Sequence, residues 1–109
     1  MAGYEECAAD YFIERNDFPF WTLEVVVGGL GFYREGKQMR RLRHGSVFTH
    51  GPNVSQHFGN EAERPFRKYF FVRGGAEFPE AWHAIGLQPG RVLQLGDASS
   101  LVGVLDKIV

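Results

Sequence analysis

A histidine side chain offers this chain its most direct route to metal binding or proton transfer, and one histidine stands in an informative context. Segment 45–58 reads Gly-Ser-Val-Phe-Thr-His-Gly-Pro-Asn-Val-Ser-Gln-His-Phe. It predicts a short strand, a turn at Gly51-Pro52-Asn53 and a second strand that opens on His57. This pattern directs one histidine toward the interior of a small β-barrel. Metal binding, proton transfer and ligand binding are its candidate roles.

A metal role for His57 requires partner ligands elsewhere in the chain. Three imidazoles and a carboxylate suit a first-row metal, and the metal site known from one type of small barrel has two of the histidines shortly before the carboxylate. Glu24 is the candidate carboxylate, but Asp17 and Pro19 stand where those histidines are needed. Proline has no ligating atom. We therefore expect no metal and no cofactor.

Other reactive side chains give no clear catalytic pattern. Cys7 is the only cysteine, and nothing in the sequence places a histidine beside it. A lone buried cysteine usually acts as a small apolar side chain, and we expect this of Cys7. Glu24 remains as an acid–base candidate, and the sequence leaves open whether it lies on the surface or is hydrogen-bonded inside the barrel.

Short β-forming segments separated by turn residues must position these side chains. Turn signals recur about every 8–12 residues, which is typical of an all-β sandwich or barrel. After Gly74-Gly75 the pattern changes and predicts a helix, a strand and a second helix. The predicted strands are Tyr11–Arg15, Trp21–Val27, Gly31–Arg34, Met39–Arg43, Ser46–His50, His57–Phe58, Phe66–Arg73 and Arg91–Leu95, and the predicted helices are Pro79–Ile85 and Leu101–Val109.

Two segments superficially suggest binding of phosphate or nucleic acid. Gly28-Gly29-Leu30-Gly31 lacks the lysine and serine of a phosphate-binding loop, so it predicts a strand end or a bulge. The basic stretch Lys37–His44 predicts a strand whose charged residues face solvent and protect a sheet edge.

Length and composition limit the class of protein. The 109 residues are sufficient for a single domain, 1–109, with its own core. A formal net charge of −1 gives no overall attraction to nucleic acid or anionic membranes. The acidic N-terminal segment is unlike a signal peptide, and no apolar run is long enough to span a membrane. Together with a single cysteine, these features predict a cytoplasmic protein.

Several segments occur in an order and spacing typical of one known family. They are Glu14–Phe20, Leu23–Gly31, Leu42–Phe48, Gly51–Val54 with His57, and Pro65–Val72. The series resembles the N-terminal ligand-binding domain of AraC-type transcriptional regulators, over roughly residues 3–106. The resemblance implies an all-β fold, a cupin-type double-stranded β-barrel (jelly roll) with one or two short C-terminal helices. In the family, a module with two helix-turn-helix motifs follows this domain, and that DNA-binding module is absent from this chain.

The resemblance also implies a function. The chain would be an effector-sensing and dimerisation domain and not an enzyme. A small-molecule effector, with a sugar among the candidates, would bind inside the barrel and control a separate DNA-binding domain. The implied partners are this effector and a second copy of the chain in a homodimer. DNA would be contacted only through the C-terminal domain, and no membrane is involved.

The family's cavity, carried over by position, gives a set of candidate ligand-binding residues. Trp21 and Phe70 are the rings that would stack on a sugar, whereas Val26 offers no hydrogen bond where a sugar hydroxyl needs one. His57 would stand at the start of the strand after the Pro52 turn. The full set is Trp21, Glu24, Val26, Gln38, His57, Lys68 and Phe70.

Three alternatives stay open. The chain could be a small stand-alone cupin enzyme, of isomerase or dioxygenase type, that works through Glu24 and His57. Its barrel could be filled by phenylalanine side chains and bind nothing. It could also be a structural domain whose exposed sheet edge or C-terminal helix only mediates assembly.

Overall fold

The computed structural model describes residues 1–96 and 99–103, and β-strands are the main secondary structure of this part of the chain. The residues 99–103 are helical. The named elements, in chain order, are β1 (Ala2–Glu6), β2 (Phe12–Asn16), β3 (Trp21–Gly28), β4 (Gly31–Glu35), β5 (Gln38–Leu42), β6 (Ser46–His50), β7 (Ser55–Asn60), β8 (Arg67–Arg73), α1 (Glu80–Ala84) and β9 (Val92–Gln94).

The strands form two antiparallel sheets. The five-stranded sheet has the order β1-β8-β3-β6-β9, and the four-stranded sheet has the order β2-β7-β4-β5. Side chains of both sheets meet in one buried cluster, the inner core, so the sheets face each other. The inner core consists of Val26, Tyr33, Leu42, Phe48, Phe58 and Phe66. The predicted all-β barrel with short helices near its C-terminal end is confirmed.

Strand β3 is the centre of the larger sheet and is covered on both faces. It pairs with β6 on one side and β8 on the other. Successive side chains of a strand point to opposite faces. Thr22, Glu24 and Val26 therefore face the space between the sheets, and Trp21 and Leu23 face away from it. This double burial explains why β3 is mostly apolar.

A second cluster, the outer core, covers the other face of the larger sheet. Helix α1 supplies Trp82, whose side chain is fully buried there, and Phe78 packs edge-on against both Trp21 and Trp82. The buried members of the outer core are Trp21, Leu23, Val25, Val47, Phe71, Trp82 and Leu87. Helix α1 is thus needed to shield one face of β3 from water.

Most predicted elements are found, with informative differences. The strand Ser46–His50 has the predicted bounds, and a β-bulge follows Val26 as the glycines there predicted. Strand β7 is longer than predicted because it pairs with both β2 and β4. Strand β1 was not predicted from the sequence: Ala2–Glu6 has weak β-propensity, and its pairing with β8 supplies the order. Of the predicted helix Leu101–Val109, residues 104–109 lie outside the described part of the chain.

The predicted turn after β6 is docked onto the end of β2. The backbone N–H of Val54 donates to the Gly51 carbonyl at 3.2 Å. The backbone N–H of Asn53 donates to the Asp17 carboxylate at 2.8 Å. Asp17 and Asn53 both have positive φ, 56° and 62°, which short polar side chains tolerate better than most. Asp17, at one of the positions that a metal site would need, therefore holds this turn.

Candidate functional site

A cavity of about 250 Å³ opens between the two sheets. It adjoins the inner core and is lined by β1, β3, β6 and β8 on one side and by β2 and β7 on the other. Most of its wall is apolar and aromatic. The apolar lining residues are Met1, Tyr11, Ile13, Phe18, Phe58, Phe70 and Val72, and the polar ones are Glu5, Arg15, Thr22, Glu24, His50 and Lys68.

A buried charged cluster forms the polar part of this wall. Glu24 is only 3% exposed, and Lys68 and His50 are buried beside it. One carboxylate oxygen of Glu24 accepts a hydrogen bond from His50 Nε2 at 2.6 Å, and the other accepts one from Lys68 Nζ. Lys68 Nζ also donates to Glu5 at 2.8 Å. A carboxylate inside the barrel is thereby paired at both oxygens, which settles the open question about Glu24.

Strand register brings these three side chains together. Glu24 lies on β3, between β6 and β8. The position of His50 on β6 is opposite Thr22, and that of Lys68 on β8 is opposite Val26. Both are diagonal neighbours of Glu24 on the same face of the sheet, within reach of long side chains. The cluster therefore depends on pairing between segments that are distant in sequence.

The cluster is charged at neutral pH. Burial alone would raise the pKa of Glu24, but the hydrogen bond from His50 and the charge of Lys68 outweigh it and lower that pKa. For Lys68, burial alone would lower the pKa, but the negative charge of Glu24 outweighs it and raises that pKa. Glu24 is thus an anion and Lys68 a cation, each stabilised by the other.

His50 is held rigidly in the cavity wall. Because ionised Glu24 can only accept, His50 Nε2 carries the proton of their bond. Nδ1 is buried and has no hydrogen-bond partner among the residues described. The ring stacks on Phe58 at a centroid distance of 5.5 Å and meets Phe18 edge-on at 6.0 Å. The imidazole is therefore fixed in orientation by Glu24 and by these two rings.

Tyr11 places a neutral hydroxyl-bearing ring in the same wall. Lys68 Nζ lies 5.2 Å from its ring centroid and 5.8 Å from that of Phe70. Burial, followed by the negative charge of Glu24, raises the pKa of Tyr11. A phenol in this environment stays protonated and acts as a hydrogen-bond donor at neutral pH.

Arg15 contributes a second cation to the cavity lining. Its Nε donates to the side-chain oxygen of Gln56, its partner on β7, at 2.8 Å. Its guanidinium carbon lies 4.0 Å from the ring centroid of Phe18. Gln56 is 1% exposed, so a buried side chain anchors Arg15 Nε, whereas Arg15 itself is exposed. This orients the guanidinium without consuming its terminal nitrogens.

Three of the seven residues predicted from the sequence line this cavity: Glu24, Lys68 and Phe70. Val26 faces the same space but is buried in the inner core. Trp21 is packed in the outer core, on the opposite face of β3 from Glu24. The two-residue period of the strand causes this separation, because position 21 is an odd number of residues from position 24.

The other two predicted residues lie on the smaller sheet, away from the cavity. Gln38 is exposed on the edge strand β5, next to exposed Met39. His57 alternates with the inward-facing Gln56 and Phe58 and therefore points outward, where its Nδ1 lies 2.8 Å from Glu14. Because His57 and Glu24 do not face a common space, the proposed catalytic pair of the enzyme alternative is not assembled.

His50 and Arg15 were missed as candidates. His50 ends the strand Ser46–His50, and alternation places it on the same face as the buried Phe48. That was the available signal, but only the pairing of β3 with β6 shows that it meets Glu24. Arg15 is the last inward-facing position of β2, and its role depends on Gln56 across the strand pair.

Other reactive groups are accounted for by packing. Cys7 packs against the inner core, and burial raises its pKa to about 11, so it is a neutral thiol. Within the described residues, no group of at least three His, Cys, Asp or Glu side chains is arranged to hold a metal ion. A membrane-crossing helix needs a long apolar stretch, and none of the helices in the described residues provides one.

The two-sheet barrel and its lined cavity define a cupin-like ligand-binding module. Comparison with known families gives the same class independently, because the family described as the AraC-like ligand-binding domain matches residues 1–108. The chain belongs to this family. None of the curated proteins compared matches the chain.

Proposed function

We propose that this chain senses a small-molecule effector in the cavity between its sheets and relays the bound state to a separate DNA-binding domain of an AraC-type regulator. The observation that carries the proposal is a preformed polar cluster, Glu24 with Lys68 and His50, in the wall of an otherwise apolar cavity. Ligand pockets typically combine apolar walls with a few fixed polar groups. Glu24, Lys68 and Phe70 are the predicted residues that we retain as ligand contacts.

The size of the cavity restricts the effector. About 250 Å³ corresponds to roughly eight water molecules at about 30 Å³ each. This is slightly below the usual range of about 300–1,000 Å³ for ligand pockets. The effector is therefore a single-ring or similarly small molecule, and a sugar or an aromatic acid is of suitable size.

Binding is tested by a thermal-shift screen of the chain against a library of monosaccharides, aromatic acids, amines and alcohols. A ligand at about 100 times its Kd stabilises a protein by about 2.7 kcal/mol. For a domain of this size, that corresponds to a rise in Tm on the order of 10 °C. If no compound in so broad a library raises the Tm, the proposal fails.

A pair of phenylalanine variants assigns the binding to the cavity. Phe70→Ala removes a half-buried ring from the cavity wall and is expected to weaken effector binding by about 1–3 kcal/mol. Phe32→Ala is the matched control, because Phe32 is also half-buried but packs against Phe12 and His57. Equal loss of binding in both variants would place the ligand outside the cavity.

We also propose that the chain forms a homodimer in the cytoplasm and that DNA is contacted only by the separate domain. The support is the family membership, together with a net charge of −1 that gives no electrostatic basis for DNA binding. Sedimentation velocity across a concentration series tests the dimer, and a monomer at all concentrations would contradict it. A gel shift produced by this chain alone, weakening with salt, would contradict the DNA assignment.

A further inference from the structure

We infer, building on the proposed function, that the effector is a hydroxylated aromatic carboxylic acid, bound with its hydroxyl against Glu24 and its carboxylate against Arg15. Three features of the cavity support this class: the charge of its buried end, the character of its walls and the position of its second cation.

The buried end of the cavity favours a hydrogen-bond donor and disfavours an anion. Lys68 is shared between two carboxylates, Glu24 and Glu5, so its charge is already matched. A further carboxylate here would lie against Glu24, and repulsion between like charges in a buried site is costly. The ionised carboxylate of Glu24 can only accept hydrogen bonds, and a ligand hydroxyl supplies a donor for it.

Tyr11 is an example of a phenol that stays protonated in this environment. Tyr11 lies in the same cavity wall, and burial with the nearby charge of Glu24 holds its hydroxyl in the neutral form. A ligand phenol beside Glu24 experiences the same two effects. It therefore remains a donor at neutral pH, which is the form that Glu24 requires.

The walls between the two polar regions favour a flat apolar ring over a sugar. Phe58 and Phe70 lie on opposite sheets, and Ile13 and Val72 complete the apolar surface. Aromatic rings pack well against such surfaces in offset or edge-on geometry. A sugar carries hydroxyls around its whole ring, and those facing these side chains would lose hydrogen bonds to water without replacement.

Arg15 provides the anion site. Its Nε is engaged by Gln56, and its plane lies over Phe18. Its terminal nitrogens have no hydrogen-bond partner among the described residues, and the side chain is exposed where it lines the cavity. A guanidinium fixed in this way binds a carboxylate through two parallel hydrogen bonds.

Calorimetric titration of the chain with matched probes tests this class. The probes are 4-hydroxybenzoate and 3-hydroxybenzoate, which carry both groups, benzoate and phenol, which carry one each, 4-methoxybenzoate, which cannot donate, 4-aminobenzoate and D-glucose. We expect one hydroxybenzoate to bind at least tenfold more tightly than benzoate, phenol and 4-methoxybenzoate. These comparisons use the unaltered protein, so they do not depend on the folding of a variant.

Two arginine variants then test the position of the carboxylate. Arg15→Gln is expected to weaken binding of the preferred hydroxybenzoate about tenfold while leaving phenol unchanged. Arg34→Gln is the matched control, because Arg34 is exposed on β4 of the same sheet and lies on its outer face, next to Met39 in register. It should leave both affinities unchanged.

Several results would overturn the inference. Tighter binding of D-glucose or 4-aminobenzoate than of either hydroxybenzoate would assign another ligand class. If 4-methoxybenzoate binds as tightly as the preferred hydroxybenzoate, the ligand needs no hydrogen-bond donor. If both arginine variants weaken binding equally, Arg15 does not hold the carboxylate. If no probe binds, the inferred class is wrong. The proposed function fails on a separate result, namely that the broad library gives no ligand whose affinity is reduced by Phe70→Ala.

Discussion

Removing the buried cation Lys68 should destabilise the domain strongly. In Lys68→Met, the methionine keeps most of the apolar stem, but Glu24 loses one of its two hydrogen-bond partners and the compensating charge. Removing one member of a buried ion pair typically costs about 3–5 kcal/mol, because the remaining charge stays buried without a partner. Domains of this size have total stabilities of about 5–15 kcal/mol, so the variant should fold with much of its stability lost.

Urea unfolding at several pH values tests the cause of this loss. In the wild type, Glu24 has a lowered pKa, so its contribution is present above its ordinary pKa of about 4.5 and is lost as the pH falls through the folded-state value. Lys68 has a raised pKa, so its contribution is present below its ordinary pKa of 10.5 and is lost as the pH rises through the folded-state value. The pair therefore gives the wild type little pH dependence between pH 5 and 8.

Lys68→Met should introduce a dependence of stability on pH that the wild type lacks. The variant lacks the cation that helps to lower the pKa of Glu24, so acidification from pH 8 to 5 favours protonation of this carboxylate. Protonation neutralises the uncompensated charge, and the variant should become more stable as the pH falls. Lys37→Met is the control, because Lys37 is exposed in the turn between β4 and β5 and its replacement should change stability by less than about 0.5 kcal/mol. A loss below about 1 kcal/mol for Lys68→Met, with an unchanged pH profile, would refute a desolvated ion pair.

Three further predictions concern groups outside the charged cluster. Tyr33→Phe should cost only about 1 kcal/mol in urea unfolding, because the Thr49 carbonyl that accepts from Tyr33 at 3.3 Å also accepts from the Gly90 N–H; a loss above 3 kcal/mol would contradict this. Asp17→Ala should cost about 1–3 kcal/mol, since it removes the acceptor for Asn53 and places alanine at a φ of 56°, whereas Asp17→Asn should cost less than about 1 kcal/mol. Cys7, with its pKa raised to about 11, should react with iodoacetamide at pH 8 at least about tenfold more slowly in the folded chain than in urea, and equal rates would show an exposed thiolate.

The fold was predictable because most of its strands can be recognised from their own residues. Trp21–Gly28 is rich in β-branched and aromatic residues, and Ser46–His50 is bounded by glycines, so each strand is visible in its own sequence. Ala2–Glu6 lacks such a signal and becomes a strand only through pairing with β8. Local propensity therefore predicted the centre of the larger sheet and its β9 edge, and missed its β1 edge.

The site was only partly predictable, because it depends on strand register. Glu24, Lys68 and Phe70 followed from a family resemblance, whereas Trp21 fell on the wrong face of the same strand as Glu24. A shift of one residue along a strand reverses the face that a side chain occupies. His50 and Glu24 are 26 positions apart in the sequence and meet only because β3 pairs with β6. No pattern within one segment carries that information.

A double variant of the charged cluster can separate its role in stability from its proposed role in ligand binding. A buried ion pair can often be replaced by neutral side chains of similar volume with little loss of stability. In Glu24→Gln/Lys68→Met, the introduced amide oxygen can still accept from His50 Nε2, and no uncompensated charge remains inside the barrel. The double variant should therefore recover most of the stability lost in Lys68→Met, to within about 1–2 kcal/mol of the wild type.

Ligand binding should not recover with stability in this double variant. The carboxylate at position 24 gives a ligand hydroxyl a charged acceptor, and hydrogen bonds to charged groups contribute more than those to neutral ones, about 1.5–3 kcal/mol against about 1. This difference of about 0.5–2 kcal/mol corresponds to about 2- to 30-fold, so we expect the compound identified in the library screen to bind the folded double variant more weakly by that factor. Calorimetry on this variant, with its folding checked by urea unfolding, measures both quantities. Unchanged affinity would show that the charges of Glu24 and Lys68 serve the barrel alone and that recognition lies elsewhere in the cavity.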